Sequence, residues 1–153
     1  MHLFRGAAKL NLDAKGRLAI PARYRDALRD SCESRLVVTV DRDRCLLLYP
    51  KPEWLEIERK LINLPTFNKK VRAIQRLYIG NAQEVDLDAQ GRILIPPDLR
   101  QFASLDKRVA LVGQGNKFEI WCEDVWNEKC EVLLDDDDLD ELESEAGLGS
   151  ITI

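Results

Sequence analysis

At 153 residues, with 45% hydrophobic and 33% charged side chains, the chain has enough apolar material for one ordinary domain or for two half-size lobes on a shared core. Its formal charge of -4 argues at first against a phosphate-bearing partner, yet eight of its 27 acids fall in residues 135–145, leaving residues 1–134 with 23 bases against 19 acids. No apolar run reaches the roughly 18 to 20 residues of a membrane span, and the opening MHLFRGAAKLNLD lacks the apolar centre of a signal peptide, so a soluble cytoplasmic protein with no membrane partner is expected.

The first 25 residues carry Arg5, Lys9, Lys15, Arg17, Arg23 and Arg25 against one acid, Asp13, which makes this end positive. In LNLD, Leu10 and Leu12 alternate onto one face of a strand; DAKG turns the chain, and RLAIP resumes it until Pro21. Proline suits the start of a helix, and Tyr24 and Leu28 lie four apart in ARYRDAL, so a short helix follows. LVVTV and CLLLY are two more strands, joined around DRD. Trp54, Ile57, Leu61 and Leu64, then Phe67, Val71, Ile74 and Tyr78, recur every three or four positions and predict two amphipathic helices separated by Pro65, with Lys69, Lys70, Arg72 and Arg76 on a solvated face.

After these helices the order of elements repeats: VDLD, the turn DAQG, RILIP, a short helix around Leu99 and Phe102, VALVG, a turn at QGN, and FEIW. LDAKGRLAIP thus returns 75 residues later as LDAQGRILIP, and the exits YPKPEW and WCEDVW correspond at an offset of 72. Such agreement indicates a duplication. The aspartate run after Leu134 holds too little apolar material to offset its ordering entropy and is expected to be a mobile acidic tail. Cys32, Cys45, Cys122 and Cys130 follow no metal or redox spacing and read as buried thiols, and His2 stands at the terminus.

Asp13 with Gly16, and Asp88 with Gly91, are what a tight D-x-x-G turn requires, and shaping the loop is their expected role. A turn does not require Arg17 or Arg92. Each either bonds back to its aspartate or projects a planar fork of donors from the loop. Two symmetry-related aspartates sharing a proton would make an acid pair, but an arginine four residues after each should lower their pKa values instead. With its lone histidine terminal and no phosphate-cradling G-x-x-x-x-G-K run, the chain is read as a non-enzyme without cofactor, metal or small-molecule substrate. The major groove admits a two-stranded ribbon whose arginine reaches guanine O6 and N7, so the residues alone lead to a duplicated, mostly β domain with a basic loop suited to DNA.

FRGAAKLNLDAKGRLAIPARYRDAL, CLLLYPKPEW, RAIQRLYIGNAQEVDLDAQGRILIP and LVGQGNKFEIW together resemble the MraZ family of bacterial proteins, which are built from two AbrB-like domains. The mark of the resemblance is the doubled D-x-x-x-R. It implies an α+β, mostly β fold: a duplicated AbrB-like swapped-hairpin barrel with short helices and a helical hairpin between the copies. The parts expected are a first domain over 7–53, the helical hairpin over 54–80, a second domain over 81–126 and the acidic tail over 127–153. It further implies self-association into rings and a nucleoid-associated transcriptional regulator. Such a regulator binds double-stranded DNA at short G-containing direct repeats upstream of the division and cell-wall gene cluster, its own operon included. In such proteins the D-x-x-x-R turn faces DNA, which makes Lys15, Arg17 and Arg92 the candidate DNA-binding residues. Arg5 and Arg25 join them as phosphate contacts on charge alone. The chain departs from the family at its start, MHLFRG in place of MFRG, and at Gln90, which stands where the first turn has Lys15. Charge therefore favours the first turn as the reader. The rival expectation is a non-catalytic ring scaffold that binds protein partners through the basic helices.

Overall fold

The computed structural model describes residues 3–135. Strand β1 (Phe4–Asn11) runs into the first D-x-x-G turn, after which the three-residue β2 (Arg17–Ala19) leaves it. Helix α1 (Ala22–Cys32) starts directly after Pro21, whose fixed φ suits a helix entry, and buries Tyr24, Leu28 and Cys32 on one stripe. A strand hairpin follows, β3 (Leu36–Val40) and β4 (Leu46–Pro50), in which every residue is buried. Helices α2 (Lys51–Ile62) and α3 (Lys69–Tyr78) form the hairpin between the copies. The second copy supplies β5 (Gln83–Glu84), β6 (Arg92–Leu94), α4 (Pro97–Phe102), β7 (Arg108–Gly115) and β8 (Phe118–Cys122).

These strands make one six-stranded antiparallel sheet, in the order β1-β7-β8-β4-β3-β5, and a separate two-stranded ribbon of β2 and β6. The order shows the exchange between copies. The first copy's β1 pairs along its whole length with the second copy's β7, and the second copy's β5 pairs with the first copy's β3. At the centre, Leu46, Leu47 and Leu48 of β4 face Ile120, Glu119 and Phe118 of β8. Residues 72 apart therefore swap places about an axis through Leu47 and Glu119. The chain is an α+β, mostly β protein in which two copies share a sheet.

One apolar cluster fills the space between sheet, ribbon and the helices α1 and α4, with Leu18, Leu28, Leu36, Leu48, Ile95 and Phe118 fully buried. Phe4, Tyr24 and Phe118 stack within it at centroid distances of 4.3 to 5.9 Å, and the Tyr24 hydroxyl donates to the Arg5 carbonyl, tying α1 to β1. Residues Met1–Glu123 form one compact unit, and a second begins at Asp124.

Three findings differ from the sequence reading. VDLD, residues 85–88, expected as a strand, lies in none, and β5 is instead the two residues before it, Gln83–Glu84. Val85 and Leu87 still donate to the carbonyls of Leu36 and Ser34, but Glu33 and Ser34 adopt left-handed conformations that end the partner strand. Cys32 and Cys45 are buried as expected, whereas Cys122 and Cys130 are half-buried; all four thiols are free. Of the apolar stripe along α2 and α3 only Trp54 is buried, leaving Leu64, Ile74 and above all Phe67, 90% exposed, uncovered among the described residues. The hairpin itself is well made: Asn68 caps α3, the Gln75 amide donates to the Leu61 carbonyl, and Thr39 Oγ1 donates to the Tyr78 carbonyl at 2.7 Å.

Helix α5 (Glu123–Leu134) begins 72 residues after α2 begins at Lys51, so the matching exits of the two copies are both helix starts. The sequence reading places no helix at the second exit, where the structure forms one. The acidic run beyond Asp135, expected to be a mobile tail, lies outside the described residues.

Candidate nucleic-acid interface

The two repeated turns superimpose bond for bond. In the first, Asp13 Oδ1 accepts from the backbone N–H groups of Lys15 and Arg17, both at 2.9 Å, while the Gly16 N–H donates to the Asp13 carbonyl at 3.0 Å. In the second, Asp88 Oδ1 accepts from Gln90 and Arg92 at the same 2.9 Å, and Gly91 donates to the Asp88 carbonyl at 3.0 Å. Gly16 and Gly91 stand at φ +84° and +75°, the left-handed position that closes a type I turn into a bulged hairpin and that side chains rarely tolerate. The four residues expected to shape the turns are thus placed to do so.

Past the turns the chain enters the ribbon. Arg17 pairs with Leu94, Leu18 with Ile93 and Ala19 with Arg92, about an axis through the central pair. The ribbon is closed at both ends by Ile20 donating to the Gly91 carbonyl and Ile95 donating to the Gly16 carbonyl, at 2.9 and 3.0 Å. Alternation does the rest: Leu18 and Ile93 drop into the core, and Arg17, Ala19, Arg92 and Leu94 share the outer face. Leu94 is 55% exposed there. Both arginines consequently leave one surface, two residues apart along a strand, and the tips carrying Lys15 and Gln90 flank it.

Each arginine also bonds back to its aspartate, Arg17 Nε to Asp13 Oδ2 at 2.6 Å and Arg92 Nε to Asp88 Oδ2 at 3.1 Å. The ion pair and the projecting fork turn out to be compatible, because only Nε is engaged. Here the turns part. Arg92 Nη2 donates to the Gln90 side chain at 3.0 Å, so the second fork is tied down within its own loop. Lys15 offers no acceptor, and the terminal amino groups of Arg17 make no hydrogen bond among the described residues. One substitution between the repeats, Lys15 against Gln90, therefore decides which fork is open.

The remaining sequence candidates are dispersed. Arg5 lies near the start of β1, six residues of strand or roughly 20 Å from Asn11, where the first turn begins. Arg25 reaches the second turn and not the first: its side chain covers Gly91 and donates to the Gln90 carbonyl at 3.4 Å. Its repeat counterpart Arg100 covers Gly16 of the first turn, where an added Cβ would come within 2.4 Å of Arg100 Nη1. Sequence reasoning missed Arg100, although the offset of 75 between PARYR and PPDLR points to it. Elsewhere, Asp41, Cys45 and Glu119 bring three possible ligand atoms within 4.8 Å. Burial, with Glu119 and Asp41 next, raises the Cys45 pKa and keeps the thiol protonated, and it sits 3.9 Å from Asp41 Oδ2 while Trp121 Nε1 bonds Glu119 at 3.0 Å.

The bonds around Asp13 lower its pKa to about 2, the Arg17 backbone N–H contributing most and the guanidinium and Lys15 N–H less, against some desolvation. Asp88 is lowered for the same leading reason, the Arg92 N–H. A carboxylate whose folded pKa lies below its unfolded value, about 3.9, stabilises the turn above that value and loses the contribution as pH falls through the folded one. Turn order should therefore be constant from pH 5 to 8. A carboxyl-carbon NMR titration is expected to place the Asp13 midpoint near 2, and a midpoint at or above the ordinary value would contradict this account of the turn.

A family model described as MraZ protein matches the chain twice, over residues 3–77 and 78–146. The transcriptional regulator MraZ of Thioalkalivibrio sulfidiphilus is 63% identical over 124 residues, 81% of this chain and 83% of the relative. That of Methylococcus capsulatus is 57% identical over 141 residues, covering 92% and 93%, and that of Pseudomonas aeruginosa 56% over 133, covering 86% and 88%. The doubled turn, the shared sheet and these likenesses agree: the chain belongs to the MraZ family.

Proposed function

We propose that this protein is a DNA-binding transcriptional regulator that reads short G-containing direct repeats through the outer face of the β2–β6 ribbon, with Arg17 as the principal reader. The single observation that carries the assignment is the open fork of Arg17 beside Lys15, on an exposed ribbon of the kind the major groove accepts. The relatives from Thioalkalivibrio sulfidiphilus and Methylococcus capsulatus, named as transcriptional regulators, support the regulatory role. Arg92, tied to Gln90, supports the fold or a weaker backbone contact. By resemblance, the repeats lie upstream of the division and cell-wall genes, its own operon included, and the protein acts as a ring associated with the nucleoid in the cytoplasm. Among the described residues no helix is long and apolar enough to cross a membrane. No catalytic step is assigned to it.

Self-association is supported by the uncovered apolar stripe of the helical hairpin, in which Leu64, Phe67 and Ile74 are exposed, together with the exposed Leu55 and Ile62 of α2. The same stripe is what favours the second reading, a scaffold that holds protein partners. Salt separates the two. Gel-shift on DNA upstream of the protein's own gene should weaken with a log-log salt slope near -0.9 per phosphate contacted, and should exceed binding to a scrambled duplex. Binding that salt leaves unchanged, or equal binding to both duplexes, would favour the scaffold.

A further inference from the structure

We infer that Arg100 is a DNA-phosphate contact of the first turn, supplied by the second copy. The inference rests on the DNA reading above. Arg100 stands on α4, yet its guanidinium lies over Gly16, so that Nη1 and Cζ would be 2.4 and 2.5 Å from a Cβ there. Only glycine allows this approach. The group thereby lies against the tip of the turn, at the glycine that Lys15 precedes and Arg17 follows in the chain.

Its partners are the telling point. Arg100 Nε is buried without a hydrogen bond, and the side chain forms no ion pair among the described residues although Asp13 and Asp106 line the same cleft, with Lys107. A phosphate cannot reach the buried Nε, but the terminal amino groups are not among the buried unbonded atoms and make no hydrogen bond among the described residues, so a phosphate oxygen there supplies an acceptor and the opposite charge together. The counterpart at the second turn behaves differently, since Arg25 bonds the Gln90 carbonyl. The two copies thus differ twice in the same sense: the first turn has both an open reading fork and an unpaired arginine behind it.

A contact to phosphate positions without specifying, which gives it a signature distinct from that of Arg17. Arg100→Gln preserves a planar, hydrogen-bonding side chain and removes the charge; Arg100→Lys keeps the charge. Binding of both variants to an operator duplex and a scrambled duplex would be measured from 50 to 300 mM salt, beside thermal melts. For Arg100→Gln we expect about tenfold weaker binding to both duplexes alike, unchanged selectivity, and a salt slope smaller in magnitude by about 0.9. Arg100→Lys should keep the wild-type slope. A wild-type slope in Arg100→Gln, or a loss confined to selectivity, would overturn the inference while Arg17→Ala still reports on the DNA reading. Salt-independent binding by the wild-type protein would overturn both.

Discussion

Arg17→Ala is expected to remove discrimination between an operator box and a scrambled box, a loss of about 5- to 150-fold, with the protein still folded and assembled. A good bidentate contact to guanine contributes about 1 to 3 kcal/mol of discrimination, and Arg17 is the one ribbon arginine whose terminal amino groups are open. Arg92→Ala should leave most of the discrimination. The competing effect is loss of turn order, because Arg17 Nε also holds Asp13. That effect should be small: the exposed ion pair contributes little, and the backbone N–H bonds of Lys15 and Arg17 to Asp13 survive the substitution. Circular dichroism and thermal melts beside the gel-shift separate the two. Wild-type selectivity in Arg17→Ala, or greater damage from Arg92→Ala, would show that the first turn is not the reader.

The second large effect concerns the number of boxes. Each subunit presents one small ribbon face with one open fork, too few contacts for high affinity alone. If the apolar stripe around Phe67 joins subunits, several ribbons meet successive repeats and the linked binding events raise avidity by about 10² to 10⁴. Reducing an operator from several boxes to one should lower affinity by that order. Light scattering should report an assembly larger than a dimer. Phe67→Asp, at a residue 90% exposed, should then dissociate the assembly and bring binding to several boxes down to the single-box level without a fall in melting temperature of the subunit. Equal affinity for one box and for several would contradict the multivalent account.

Much of this was legible in the chain. The repeat at an offset of 75 fixed the turns, and alternation in RLAIP and RILIP fixed which side chains reach the core, because a strand has only two faces. Helix starts after Pro21 and Pro96 were readable for the same local reason. The long-range exchange between copies was implied by the resemblance, in its swapped-hairpin barrel, and not by the residues themselves. Nothing local says that β1 pairs with β7 of the other copy, since pairing depends on where the sheet closes and not on either strand alone. For that reason Arg25, close in sequence to the first turn, serves the second, and Arg100, distant in sequence, covers the first. The difference between the forks was anticipated from charge but arises from geometry: the Gln90 side chain accepts a bond that a lysine cannot. The stripe on α2 and α3 was legible as apolar, but periodicity reports that a face is apolar, not what covers it.

The most direct measurement is a chemical double-mutant cycle between Arg17 and the guanine it is proposed to read. Operator duplexes would carry 7-deazaguanine in place of each guanine in turn, removing the N7 acceptor, and each would be titrated with the wild-type protein, Arg17→Ala and Arg92→Ala. The account predicts that one guanine per box weakens wild-type binding when altered, that the same alteration costs Arg17→Ala nothing further, and that Arg92→Ala responds as the wild type does. Losses from the base and from Arg17→Ala that simply add at every guanine would contradict it.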